Sequence, residues 1–448
     1  MQQAATKRSE NRERSATETR RVESQNAGMI HVIGTDAGAP ATLTPPQQTL
    51  VREASCLAAP LRLHPALQAW LGAHPARLIS SDDPRALCEE LSQALEPSWV
   101  VLASGDPLWF GIGRILLDRL GREQLCFHPA PSSMQLAFAK IGRPWQDASW
   151  ISLHGRDPAQ LHRALQQRPS ALAVLTDPDQ GGAETVRRSL LSSGLAASYQ
   201  FWILEQLGHP QERVHRPPLD EPLPLDLPRL LLVLLIADTP EELPACSLPL
   251  FGLDDGLFLQ HPDHPGLMTK REVRVQLLAD LQLPSHGVLW DLGAGTGSVG
   301  LEALRIRPEL LLLAVERRGG GASVIQANAK RLGVQPAAIL ECDARMLSTI
   351  ALDDELQKPD RVVLGGGGRH RTSLLQFVLS RLKPGGVVVI PLATIEAVSE
   401  LRPLLEEAEM RVSLNQLQAW RGQMLGDGTR LAPMNPAWIL CGTKTNQD

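Results

Sequence analysis

The amino-acid sequence predicts an α/β protein of two domains, and three observations carry that prediction. With 448 residues the chain is long enough for two or three domains of roughly 100 to 200 residues each. From Ile30 onward, short apolar runs alternate with turn residues and with stretches of helical period, the rhythm of strand–turn–helix units. Two of these units end a buried strand in a glycine-bearing loop, at Trp99 to Pro107 and at Val288 to Gly300, which is where open α/β sheets carry ligand sites.

Composition narrows the function classes. Hydrophobic residues at 43% and charged residues at 21% are globular values, and a net charge of -5 argues against a general binder of nucleic acid or anionic membrane. An anionic substrate must therefore meet local basic groups. Cys56, Cys88, Cys126, Cys246, Cys342 and Cys441 are scattered without a CxxC pair, the usage of a reducing compartment rather than of a disulfide frame or zinc site. The apolar runs Leu230 to Ala237 and Leu310 to Val315 fall far short of the roughly 20 residues of a membrane span. A cytoplasmic location is expected.

Residues 1–28 are polar and aperiodic, the composition of a disordered tail. They lack the apolar core of a secretory signal, and Glu10, Glu13, Glu18 and Glu23 weigh against a transit peptide. Met29, just before the strand IHVIG, is a plausible point for synthesis to begin. A first domain is expected over 29–238. Helical period marks Leu43 to Ala54, Pro84 to Leu95, Phe110 to Leu120 and Met134 to Lys140, and WVVLA at 99–103 reads as a buried strand. Strand or loop ends rich in small donors follow at Gly34 to Gly38, Ser104 to Pro107, Pro131 to Ser133 and Ile151 to Arg156. Arg229 to Ala237 reads as the last strand, and Pro240 and Pro244 mark 239–248 as the linker.

The second domain is expected over 249–445. Thr269 and Glu272 have capping-box spacing, so a helix is expected to begin just after Thr269. Val288, Leu289 and Trp290 form a buried strand ended by Asp291, and Gly293, Gly295 and Gly297 alternate before a helical pattern. From the residues alone, that loop suits a dinucleotide, another nucleoside cofactor or a plain strand-to-helix turn. Leu310 to Val315 is a second strand, ending in Glu316 nineteen positions after Gly297, the spacing of an acid that accepts ribose hydroxyls. Strands follow at Ala338 to Leu340, Val362 to Leu364, VVVIP at 387–391 and Ala437 to Cys441. Four glycines, 365–368, precede Arg369-His370-Arg371, where the next helix starts.

SGDPLWFGIG, PSSMQLAFAKIGRPWQDASWISLHGR and EQLGHPQER, in this order, resemble the tetrapyrrole methylase family in its C5-methylating precorrin branch of cobalamin biosynthesis. The resemblance covers roughly residues 30 to 240. Two departures stand out: the family's GxGPG loop is here Gly34-Thr35-Asp36-Ala37-Gly38, and Ala59 replaces a usual glycine, although Arg62 stands at the place of the family's arginine. DLGAGTG resembles motif I of class I S-adenosylmethionine (AdoMet) methyltransferases. With the MTKREVR entry, the glycine run and Ala419-Trp420-Arg421-Gly422, it makes about residues 249 to 445 similar to the C15-methylating, decarboxylating precorrin methyltransferases.

The joint resemblance implies an α/β fold, a two-lobed tetrapyrrole methylase domain followed by a Rossmann-like class I methyltransferase domain. It implies AdoMet bound by Gly34, Gly38, Ser104, Gly105, Asp106, Ser132 and Ser133 in the first domain. In the second, Asp291, Gly293, Gly295, Gly297, Glu316, Asp343 and Ala344 would hold it. The tetrapyrrole carboxylates would meet Arg62, Arg156, Thr269, Lys270, Gly366, Gly367, Arg369 and Arg421. Methylation at C5 and C15 with loss of the C12 acetate carboxyl needs no catalytic triad, because the donor is already an activated electrophile. His261, His264 and His370 are candidates by chemistry for the proton donor of the decarboxylation. A homo-oligomer without metal, nucleic acid or membrane partner is expected. Two rival readings stay open: a first domain that binds substrate without catalysis, and a second domain that methylates RNA.

Overall fold

The computed structural model describes residues 29–73, 75–93, 98–154, 159–365, 368–425 and 428–445. The expected tail, together with Arg156, Gly366 and Gly367, lies outside the described residues.

The first sheet is wholly parallel. Its strands are β1 (Ile30–Thr35), β2 (Cys56–Ala59), β3 (Arg77–Ser80), β4 (Trp99–Ser104) and β5 (Leu125–His128), in the order β3-β2-β4-β1-β5. Both faces are covered, which explains why these strands read as near-continuous apolar runs. On one face Val32, Ala58 and Val101 pack with Leu87 and Leu91 of the helix Pro84–Ser92 and Leu116 of the helix Gly113–Leu120. On the other, Ile33, Leu57, Val100 and Leu102 pack with Val51 and Leu67 of the helices Pro45–Glu53 and His64–Leu71. The helix expected from Phe110 begins three residues later. Phe110 has φ +52°, and a Cβ on Gly113 would stand 2.5 Å from the Pro107 carbonyl, so the turn after β4 must tighten before the helix can start.

The second sheet contains β6 (Ala148–Ser152), β7 (Ala171–Leu175), β8 (Tyr199–Glu205), β9 (Arg213–His215) and β10 (Leu231–Ala237), in the order β6-β7-β10-β8-β9. The third has seven strands: β11 (Gly287–Leu292), β12 (Leu310–Glu316), β13 (Ala338–Glu341), β14 (Arg361–Leu364), β15 (Val387–Leu392), β16 (Arg411–Leu417) and β19 (Ala437–Thr443). A separate hairpin pairs β17 (Trp420–Leu425) with β18 (Gly428–Pro433). In the order β13-β12-β11-β14-β15-β19-β16, the first five strands are mutually parallel, and β19 alone runs antiparallel, to both β15 and β16. The chain leaves β11 toward β12 on one side and returns to β14 on the other, so β11 ends at a topological switch point. The α/β expectation holds throughout.

The chain forms two compact units. One runs to Gln146 and adds Ile203–His215 and Leu230–Leu232; the other holds Asp147–Trp202, Arg216–Arg229 and the chain from Val233 on. Inside the second unit the segment expected as a linker is held down. The Arg305 guanidinium donates to the carbonyls of Ala245, Leu248 and Pro249, and Arg331 donates to those of Pro240 and Glu241.

The capping-box expectation at Thr269 fails. The helix is Arg271–Asp280 with Lys270 as its cap residue and no side-chain cap bond. Glu272 turns instead to Arg421, whose guanidinium grips both carboxylate oxygens at 2.8 Å. Beside them Arg274 is fully buried, 2.7 Å from Glu302 and 3.2 Å from Asp255, with its guanidinium over the Phe258 ring. Breaking a buried ion pair from one side strands the other charge. Arg274→Met is therefore expected to lower stability by ~3–5 kcal/mol, read as a lower urea-unfolding midpoint than that of the unmodified chain.

Candidate functional site

The first site gathers at the C-terminal ends of β1, β4 and β5. Register brings Thr35 beside Ser104, the Gly105 N–H donates to the Thr35 carbonyl at 2.7 Å, and the Thr35 hydroxyl donates to the Ala103 carbonyl at 2.9 Å. A Cβ on Gly34 would stand 2.6 Å from the Gly105 carbonyl oxygen and 2.8 Å from the Ala130 Cβ, so glycine is required where three strand ends converge. Gly105 has φ +65°, which lets the backbone turn away at the end of β4. Ser132 caps the helix Ser133–Lys140, accepting from the Gln135 N–H at 3.2 Å.

Asp36, a departure from the family loop, shapes its own turn: Oδ1 accepts the Gly38 N–H at 2.9 Å and is also bonded by the Thr42 hydroxyl. This Asx-type turn organises the loop by a side-chain acceptor where the family uses glycine and proline. The Asp106 carboxylate accepts the Leu108 N–H at 2.8 Å and tightens the next loop. Arg62 donates to the Ser104 hydroxyl, so an expected substrate residue and an expected cofactor residue meet. Burial holds the Arg62 guanidinium below its ordinary value, with Asp82 opposing. The loop after β8 completes the cluster: a Cβ on Gly208 would be 3.4 Å from the Ala37 Cβ, and burial, then the Arg62 charge, lowers the pKa of His209. Gly208 and His209 lie in the EQLGHPQER motif, which was the available signal for them.

The second site lies at the switch point. Parallel register sets Leu292 beside Val315 and Leu364, and Glu316 beside Glu341, so the loops after β11, β12, β13 and β14 open at one sheet edge. Gly293, Gly295 and Gly297 have φ of +80°, +60° and +77°. A Cβ on Gly293 would stand 3.1 Å from the Gly365 carbonyl oxygen, whereas one on Gly295 would meet the Leu267 carbonyl at 3.6 Å and one on Gly319 would meet nothing. The loop thus presents bare backbone.

Beneath it, Asp291 is buried and accepts the Gly300 N–H at 3.0 Å. Burial pushes its carboxyl up to about 7; that bond opposes the rise, and the Glu316 charge adds to it. Glu316, also buried, accepts the Gly295 N–H at 2.8 Å on one oxygen and the Arg318 guanidinium at 2.9 Å on the other. Asp343 accepts the Arg345 N–H at 3.0 Å and two guanidinium bonds from the same residue, whose side-chain hydrogen bond leads in holding the carboxyl down at about 2. Ala344 opens the short turn that follows. Thr296 was missed in the sequence: its hydroxyl is buried and has no hydrogen-bond partner among the described residues. The signal was a lone hydroxyl between two glycines.

Other expected residues sit elsewhere. Arg421, besides Glu272, donates to the Ser193 carbonyl at 2.5 Å and to Asp255 at 3.3 Å, so its guanidinium serves packing within the second unit. The Thr269 carbonyl accepts from Arg274. Lys270 donates to the Gly266 carbonyl at 3.1 Å, and burial lowers its pKa; Asp255 opposes that shift, while Arg168, Arg421 and Arg274 add to it. Arg369 is exposed, and its neighbour Arg371 is paired to both oxygens of Glu400. His261 has both ring nitrogens engaged, by the Gly319 carbonyl and the Asp263 N–H; the His264 ring lies 5.4 Å from it, and His370 is exposed at the cap of the helix Arg371–Arg381.

Residues 29–223 match the model of the family described as tetrapyrrole (corrin/porphyrin) methylases, and residues 261–444 match that described as precorrin methyltransferase domain. A Sinorhizobium protein named precorrin-6Y C(5,15)-methyltransferase (decarboxylating) is 34% identical over 77% of this chain and 80% of its own length. A Pyrobaculum aerophilum protein named probable cobalt-precorrin-6B C(15)-methyltransferase (decarboxylating) is 34% identical over 42% of this chain and 94% of its own. A crystal structure of precorrin-6Y C5,15-methyltransferase from Geobacter metallireducens is 29% identical, covering 44% of this chain and all of its own, with a TM-score of 0.39. Identity of this extent across both halves shows that the chain belongs to the precorrin-6Y C5,15-methyltransferase (decarboxylating) family.

Proposed function

We infer that this enzyme methylates a precorrin-6 type tetrapyrrole at C5 with its first half and at C15 with its second, removing carbon dioxide from the C12 acetate. The observation that carries this reading is the presence of two differently built sites, each at the C-terminal ends of parallel strands in its own sheet. AdoMet, as methyl donor to both, supplies a sulfonium-activated methyl group. The residues of the second site suit that donor: bare backbone at Gly295 and Gly319, an unpartnered buried hydroxyl on Thr296, and the Glu316 carboxylate for ribose hydroxyls. In the first, the left-handed turn at Gly105 and the helix start at Ser133 lie beside a strand end that Gly34 keeps free of side chains.

The protein's own task is positioning and exclusion of water. Arg62 stands at the first site for a substrate carboxylate, with Lys270 and Arg369 proposed for the second; Arg421 leaves this set because its partners are internal. The Asx turn at Asp36 favours a first half that is catalytic rather than a binding module, because the altered loop remains ordered by its own acceptor. No described helix is long and apolar enough to cross a membrane. We place the enzyme in the cytoplasm as a homo-oligomer, which light scattering of the purified chain tests.

The decisive experiment is mass analysis of the product formed from a precorrin-6 type substrate and AdoMet. The intact chain is expected to add two methyl groups and remove one carbon dioxide; a product with a single added methyl refutes a catalytic first half. Gly105→Val is expected to abolish methylation at C5 and leave that at C15. Glu316→Gln is expected to weaken donor binding at the second site ~10–100-fold, the worth of one charge-assisted hydrogen bond, as read by calorimetry.

The raised pKa of Asp291 makes a further outcome testable. A cationic donor binds better above an ionised Asp291, so affinity at the second site rises with pH as the carboxyl titrates through about 7. Between about pH 6 and 7.5 the donor Kd is expected to fall severalfold in the unmodified chain, with the trend flattened in Asp291→Asn. Parallel pH profiles for the two proteins rule out this role.

A further inference from the structure

In the interior strand β1, His31 stands between the aliphatic Ile30 and Val32 and is only 9% exposed. Register pairs His31 with Cys126 and Ile33 with His128 on the edge strand β5, so alternation places His31, Cys126 and His128 on one face of the sheet. Nδ1 of His31 is 3.0 Å from Nε2 of His128, and the Cys126 sulfur is 3.7 Å from that same nitrogen. The three donor atoms lie within 4.8 Å of one another.

We propose that His31, Cys126 and His128 form a zinc site, with three protein donors and a fourth position left to water. Tetrahedral zinc, with Zn–N of about 2.0–2.1 Å and Zn–S of about 2.3 Å, holds such donors roughly 3.4–3.6 Å apart. The two shorter separations bracket that range, and the third, between His31 and Cys126, is no more than 4.8 Å and shortens by side-chain rotation on binding. Two imidazoles and a thiol are a borderline-soft set that suits zinc better than magnesium or calcium. A metal takes the neutral ring, and burial of both histidines lowers their pKa in the direction that favours this form. Cys126 gives up its thiol proton on binding.

The site lies below the first functional cluster. β1 runs four residues on from His31 to Thr35, and β5 runs from His128 into Ala130 and Ser132, the segment that packs against Gly34. A metal bridging β1 and β5 braces this contact, so its effect is positional and no step of methyl transfer passes through it.

The test uses the full chain, stripped with a chelator and titrated with zinc against a chromophoric competitor. The stripped wild type is expected to take up a single high-affinity zinc. Cys126→Ser and His31→Asn are each expected to weaken it by at least ~100-fold, the upper end of the loss caused by removing even an outer partner of a metal ligand. Cys246→Ser and a His261→Ala/His264→Ala double variant, which remove competing donors away from the cluster, are expected to leave affinity unchanged. Cobalt(II) supplies a readout independent of folding in the variants, because a thiolate ligand gives a sulfur-to-cobalt charge-transfer band in the wild type. Absence of that band, absence of zinc uptake, or unchanged affinity in Cys126→Ser and His31→Asn overturns the proposal.

Discussion

The second unit depends on a buried arginine. Arg274, on the helix Arg271–Asp280, has no contact with water and draws Asp255 and Glu302 around it. Glu302 also accepts the N–H groups of Gly252 and Leu253, while Asp255 accepts the Arg271 N–H and meets Arg421. Arg168 adds a bond to the Asp255 carbonyl, and the Gly256 N–H donates to the Gly194 carbonyl. Buried charges persist where each has partners on several sides. This network joins the chain around Gly194, the entry to the second methyltransferase sheet and the hairpin of β17 and β18. It explains why the unit boundary does not follow the family boundary: residues 147–202 pack with the chain from Val233 on.

The two candidate sites solve one geometric problem differently. Each needs backbone free of side chains where parallel strands end together. The second does so with three left-handed glycines above a buried acid, whose desolvation makes its protonation state responsive near neutrality. The first uses Gly34 and Gly105 for close approach, and organises the adjacent turn through the Asp36 side chain. Asp36 is therefore compatible with an ordered loop, because its Asx turn supplies a local constraint on the backbone.

Much of this was legible along the chain. Strand existence followed from apolar runs such as WVVLA and LLLLAV, since strands buried on both faces must be apolar at every position. Helix starts were less legible. Thr269 and Glu272 have the spacing of a cap, yet Glu272 is drawn to Arg421 from 149 positions away, a partner that no local window contains. Arg421 shows the same limit: expected at the substrate from its place beside a family motif, it has acidic partners, Glu272 and Asp255, that only the fold locates. Thr296 could have been noticed, but only burial shows that its hydroxyl is left without a partner.

By itself, the sequence determined the α/β class, the two glycine-bearing strand ends and the family, because these rest on local periodicity, turn chemistry and residue order. Only the tertiary structure decided which charges face one another. His31 and His128 are 97 positions apart and Arg421 and Asp255 166, and their proximity is set by parallel register and by packing rather than by spacing. Long-range pairing of this kind leaves no periodic trace in a single chain, since each partner is selected by the environment that folding creates around it.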